Sequence, residues 1–283
     1  MFETTEHRQY GQDDNVRNFS RGAGFRRSGE RRSSPMYGEL ENEYYSYSDF
    51  WNFGYWSPDV TSQKDACEYL MEKLLSRMPM SGRILDVACG KGATTHYLLR
   101  RFAPSDITGV DLSERNVAIA TAKSPGVTFR TMSATELQFS DNSFDAILCV
   151  EAAFLFETRK KFLLEAFRVL KPGGVLVMTD ILCQIKSGPL KANNIASIEE
   201  YRGKFLSAGF TNVQVDDVTY NCWIEFVRHR NAYLDRITRQ GKISSGAARR
   251  LQIRTFMANL FLRYYILLTA QKSGVGARGE NAT

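Results

Sequence analysis

Apolar positions change their spacing several times along this chain, and each change marks an element. Ala66, Tyr69, Leu70, Leu74 and Leu75 recur at intervals of three and four, which gives one apolar helical face, and Pro79-Met-Ser-Gly82 ends it. The period then shortens. Arg83–Val87 is a short apolar run with Asp86 at its end, the mark of a buried strand, and Gly90-Lys-Gly92 makes a tight turn before a helix over Thr94–Phe102. Ile107–Val110 is a second strand ending at Asp111, and Ser113 caps a helix through Ala122 with Glu114 in its first turn. Val127–Met132 and Phe144–Val150 are further strands, followed by a helix from Arg159 to Leu170. Lys171–Gly174 reads as a turn, and Val175–Thr179 as a fifth strand ending in Asp180. Strands alternating with helices predict an α/β fold, a doubly wound parallel sheet covered on both faces.

The flanks follow other patterns. Residues 43–56, EYYSYSDFWNFGYW, place eight aromatics in fourteen positions before Pro58 breaks the chain. After the fifth strand, Ile198–Ala208 is a helix stopped by Gly209, and Val213–Val218 alternates as a strand does. A charged helical stretch runs from Ile224 to Arg263 with a break at Gly241, and Tyr264–Ala270 closes the chain as a strand. This divides the chain into a disordered Arg-rich leader (1–38), an amino-terminal lid and helix (39–79), a ligand-binding core (80–182), substrate-covering helices with closing strands (183–272) and a flexible tail (273–283).

Composition narrows the class. No run approaches the ~18 consecutive apolar residues of a membrane span, and the start, MFETTEHRQY, is no secretory signal, so a cytoplasmic protein without membrane association is expected. Five widely spaced cysteines without a CxxC pair predict neither disulfides nor a metal site. The net charge of +6 raises nucleic acid as a partner. Much of that basicity, however, lies in the leader, at Arg17, Arg21, Arg26, Arg27, Arg31 and Arg32, with no base-reading motif beside it, so a small-molecule substrate is expected instead. Nothing in the pattern decides the oligomeric state, and a homodimer stays open.

In a doubly wound sheet, ligands sit beyond the carboxyl ends of the strands. Here those ends carry Asp86 with Gly90 and Gly92, Asp111, Ser133-Ala134, Glu151 and Asp180. Asp111 falls about twenty residues after the first glycine, where an acid meets a ribose in such folds. The dinucleotide fingerprint wants a third glycine, but Gly92 is followed by Ala93-Thr94-Thr95.

Taken together, ILDVACGKG, TGVDLS, SFDAILCVEA and RVLKPGGVLVMTD make Ser62–Leu182 resemble the core of a class I S-adenosylmethionine-dependent methyltransferase of the small-molecule group. The resemblance implies a Rossmann-like, seven-stranded sheet with its last strand antiparallel, under an aromatic lid and a helical cover. It implies S-adenosyl-L-methionine as cofactor, its methionine end near Asp86, Ala88, Gly90 and Gly92, its ribose on Asp111 and its adenine against Leu112. Ser133 and Ala134 stand where the family reads the adenine edge, with serine in place of the usual aspartate. Glu151 begins the loop that faces the sulfonium and the acceptor. A lid ending in Phe53-Gly-Tyr-Trp56 also fits, with Tyr45 as a cofactor contact and Trp51 and Trp56 as pocket walls.

Relatives that methylate hydroxyls often carry a histidine after the fourth strand, and here Leu155 takes that place. Asp180 and Glu151 are therefore the expected catalytic carboxylates, with Asp180 as base or acceptor orienter. The expected reaction is O-methylation of a fairly apolar natural product, a macrolide-type polyketide being one candidate. The alternatives are C-methylation of a quinol, phenol or terpenoid, an RNA methyltransferase, or a protein that binds the cofactor without transfer.

Overall fold

The computed structural model describes residues 35–183, 193–259 and 261–274. Of the leader expected to be disordered (1–38), residues 1–34 lie outside these residues, whereas 35–38 are helical, which corrects its boundary; of the expected tail (273–283), residues 275–283 lie outside. Helix α1 (Pro35–Tyr44), not marked by the apolar pattern, leads into the aromatic segment. Helix α2 (Gln63–Leu75) starts at Ser62, whose hydroxyl accepts from the Asp65 amide at 3.1 Å, and it buries Ala66, Cys67, Leu70, Met71, Leu74 and Leu75.

Seven strands then form one sheet: β1 (Ile84–Val87), β2 (Ile107–Asp111), β3 (Thr128–Thr131), β4 (Phe144–Val150), β5 (Leu170–Cys183), β6 (Phe210–Asp217) and β7 (Leu262–Lys272). Their order is β3-β2-β1-β4-β5-β7-β6. Strands β1 to β5 are parallel, and β7 runs antiparallel to both neighbours. The order reverses beside β1, which pairs with β2 on one side and β4 on the other, the place where such sheets take their ligands. Helices α3 (Ala93–Leu98), α4 (Glu114–Lys123), α5 (Arg159–Val169) and α6 (Ile198–Ser207) lie between strands. A π turn (Tyr220–Ile224) continues into α7 (Glu225–Arg239), and the break at Gly241 separates it from α8 (Ser245–Asn259).

The predicted Lys171–Gly174 turn is instead an insertion within β5. Pairing passes from Phe144↔Leu170 to Ala146↔Val175, and the four residues are absorbed as a register shift. This strand also runs past the predicted end at Thr179 to Cys183.

Alternation along the strands feeds two cores. Ile84, Val177, Ile181 and Tyr265 join α2, α3 and the π turn, while Leu85, Leu176, Met178 and Ile266 join α5 and α6 on the other face. A third cluster, including Tyr233, Leu234, Ile237 and Ile243, knits α7 to the segment before α8, with Leu40 and Tyr44 packed against it. Among the described residues no helix is long and apolar enough to cross a membrane.

Candidate active site

The crevice is built on left-handed backbone. Ala88, Gly90 and Gly92 have φ of 59°, 55° and 79°, which turns the chain sharply from β1 into α3. At Gly92 a side chain has no room, because an added Cβ would stand 2.7 Å from Cβ of Ala120 on α4. At Gly90 an added Cβ would meet nothing within 4 Å, so this residue presents bare backbone to the open crevice.

Two buried acids brace the loop. Asp111 is 2% exposed; its Oδ2 accepts from the Gly90 amide at 2.9 Å, and its Oδ1 accepts from the Ser113 amide and Asn116 Nδ2, both at 3.0 Å. Asp86 accepts at Oδ2 from the hydroxyls of Thr94 and Thr95 at 2.7 and 2.6 Å, and burial pushes its carboxyl up to about 6. Leu112, beside Asp111, leaves an apolar side chain 58% exposed. The Met132 amide donates to the Asp111 carbonyl at 3.1 Å, which brings the Ser133-Ala134 loop alongside. There the Ser133 hydroxyl lies 2.9 Å from that of Thr135 and accepts from its amide.

The aromatic segment divides into two parts. Tyr45 packs its ring 5.4 Å from Trp51, and both line a cleft of about 130 Å³ with Asn42, Tyr47, Asp49, Phe50 and Lys91. Asp49 bridges Lys91 of the glycine loop, at 3.1 Å, and Lys123 at the end of α4. Burial alone would raise the Asp49 carboxyl, but hydrogen bonds from the two lysines outweigh it and hold the group below its usual range. The second part is core. Phe53 lies 4.7 Å from Trp223 and 4.6 Å from Phe226, and Trp56, 1% exposed, stacks on His229 at 3.8 Å. Trp56 is therefore not a pocket wall; the Phe53–Trp56 segment plugs the space between α2 and α7.

Glu151 follows β4 with φ of 51°, and its amide donates toward Thr179, to the carbonyl at 3.1 Å and the hydroxyl at 3.0 Å. Its Oε2 accepts from the Phe53 amide and the Tyr265 hydroxyl, both at 2.9 Å. Burial raises this carboxyl to about 8 against the lowering effect of those two donors.

Asp180 was expected at a strand end facing the crevice, and the structure corrects this. It lies inside β5, opposite Ile266, and points into the layer of α5 and α6 with no exposed surface. Its Oδ2 meets Arg159 Nε at 2.7 Å and Tyr201 OH at 2.6 Å, and its Oδ1 accepts from the amides of Phe154 and Ile181. Arg159 also reaches the Asn193 and Ile181 carbonyls, tying the start of α5 to the chain beyond β5. Asp180 is thus a structural anchor without access to an acceptor. Sequence reasoning missed Asp49, Arg159, Thr179 and Tyr265. Only Tyr265 left a signal, a hydroxyl in the apolar run YYILLTA that burial obliges to find a partner.

Known proteins match this arrangement. A family profile described as a methyltransferase domain matches residues 85–178. Erythromycin 3''-O-methyltransferase of Saccharopolyspora erythraea is 32% identical over 205 residues, which cover 62% of this chain and 67% of that enzyme. The chain belongs to the class I S-adenosylmethionine-dependent methyltransferases. Phthiotriol/phenolphthiotriol dimycocerosates methyltransferase 1 of Mycobacterium ulcerans is 36% identical over 115 residues, 40% of this methyltransferase and 42% of its own length, so the match spans under half of that relative. Geranyl diphosphate C-methyltransferase of Streptomyces coelicolor, solved with S-adenosyl-L-homocysteine, shares the fold at a TM-score of 0.61 and 15% identity, over 86% of this chain and all of that one.

The methyltransferase uses S-adenosyl-L-methionine. Its crevice fits such a ligand on structural grounds. Bare backbone at Gly90 admits close approach, an exposed leucine offers an apolar face for a base, and Asp111 is a rigid carboxylate whose three hydrogen bonds leave a further lone-pair site on Oδ2.

Proposed function

We propose that this methyltransferase O-methylates a hydroxyl of a small, fairly apolar natural product, a macrolide-type polyketide being the leading candidate. The observation that supports this reading is the similarity to erythromycin 3''-O-methyltransferase, which covers 62% of this chain and so is longer than the 85–178 domain match.

In this reading Asp111 takes the ribose hydroxyls, Leu112 packs on the adenine, and Ser133 and Ala134 border its edge. Ala88, Gly90 and Gly92 cradle the methionine end beside Asp86, and Tyr45 covers it from the lid. Bound there, the cofactor supplies an electrophilic methyl group. The chain's own work is alignment, exclusion of water and removal of the acceptor proton. Glu151 is the base. Among the described residues its two carboxylate hydrogen bonds fall on Oε2, so Oε1 is the atom offered to an acceptor. A carboxyl raised to about 8 is more basic than an ordinary one, and its ionised form, which grows as pH rises toward that value, is the species that takes the acceptor proton. This also accounts for Leu155 standing where a histidine base would stand.

The test is a screen of macrolide and glycoside acceptors with methyl-labelled cofactor, the product resolved by NMR. An oxygen-bound methyl supports the proposal, and a carbon-bound methyl overturns it. Glu151→Gln should lower turnover by roughly 10²–10⁴-fold, the usual contribution of general-base catalysis.

A further inference from the structure

We infer that Tyr265 and Thr179, on neighbouring strands β7 and β5, are positioning residues that fix the Glu151 carboxylate and tune its proton affinity. The inference rests on the reading of Glu151 as base. Tyr265 is wholly buried, opposite Ile181 in the sheet, with its ring 5.9 Å from that of Phe53. Phenylalanine would fill the same space, so packing does not explain the hydroxyl. A buried hydroxyl costs stability unless it is hydrogen-bonded, and this one is aimed at Glu151 Oε2 at 2.9 Å with Thr179 Oγ1 at 3.3 Å.

Thr179 completes the arrangement from the backbone side. Its carbonyl and hydroxyl both receive the Glu151 amide, holding a non-glycine residue at a φ of 51°. Such a conformation costs about 1 kcal/mol or more and persists only where the surroundings impose it. Glu151 is thus pinned at its backbone by β5 and at its carboxylate by β7.

The electrical consequence has a definite sign. A donor to a carboxylate favours its ionised form. Among the described residues, the other titratable groups that act electrostatically on Glu151 are Asp180 of β5, which points to the opposite layer, Tyr45 of the lid, Cys67 of α2 and Cys222 of the π turn, and none of them is a cation. Tyr265 therefore offsets part of the burial that keeps Glu151 protonated.

The decisive measurement needs no acceptor. Protein carrying isotope-labelled glutamate is titrated by carboxyl NMR, with the Glu151 signal assigned from Glu151→Gln. Tyr265→Phe should move the Glu151 midpoint up by about one pH unit, the shift expected for one charged hydrogen bond. Fluorotyrosine at position 265 preserves the packing and is a stronger donor, so it should move the midpoint down. A midpoint unmoved by both changes overturns the inference, as does a loss of Tm in Tyr265→Phe without any shift. The base reading fails separately, if Glu151→Gln keeps full turnover with the acceptor found in the screen. In a Glu151→Gln background, Tyr265→Phe should change turnover less than twofold, and a larger additional loss also counts against a role through Glu151.

Discussion

At the scale of single residues, the buried pair Arg159–Asp180 sets the clearest limit on chemistry. Neither side chain is more than 3% exposed, and each oxygen of Asp180 has two donors. Replacing one member strands the other charge in the interior, which costs about 3–5 kcal/mol. Asp180→Asn should therefore lower the stability measured by denaturant unfolding by that amount, with turnover per folded molecule nearly retained. Asp111 gives the opposite pattern. Its carboxylate accepts from the Gly90 amide, and in the proposed reading it holds the ribose, so Asp111→Ala should weaken S-adenosylhomocysteine binding by about 1–3 kcal/mol in calorimetry. The two acids look alike in the sequence, each closing an apolar run. They differ because one lies at the true end of its strand and the other three residues before it.

At the scale of elements, the turn from β1 into α3 separates the two demands made on glycine. Gly92 is needed for packing, since its Cβ would collide with Ala120. Gly90 has open space beside it and, in the proposed reading, serves the ligand. Gly92→Ala should destabilise the fold by about 1–3 kcal/mol from overpacking, with about 1–2 more for the left-handed backbone. Gly90→Ala should cost only the backbone part yet lose cofactor affinity more than tenfold, since the methyl group projects into the crevice. Thermal unfolding and calorimetry on the same two proteins check both. The lid segment shows a similar division of labour. Residues from Tyr45 to Trp51 are held to the glycine loop by partly exposed ion pairs at Asp49, while Phe53 and Trp56 are locked in the core.

At the scale of the whole molecule, stability should fall between mildly acidic and alkaline pH. Burial raises Glu151 to about 8 and Asp86 to about 6, both above their unfolded values near 4. Between those values the native state binds more protons than the unfolded chain, so these groups lower stability as pH rises and contribute no further change above about 8. Asp49, Asp145, Glu165 and Glu200 are shifted downward, and their contribution is lost only as pH falls through their depressed values. Urea midpoints should accordingly be higher at pH 6 than at pH 8, below the range where the buried cysteines add to the change, and Glu151→Gln should remove most of that difference. The sequence by itself determined the alternation of strands and helices, the glycine turn, the acids at β1 and β2 and thereby the family and cofactor, because periodicity and loop geometry are local properties. The tertiary structure alone decided which face each remaining carboxylate serves. Side chains alternate along a strand, so the sequence could not tell whether Asp180 faced ligand or helix. It also could not bring Tyr265 to Glu151 across 114 residues, since that contact exists only once β7 pairs antiparallel with β5 and lays its hydroxyl over the end of the parallel sheet.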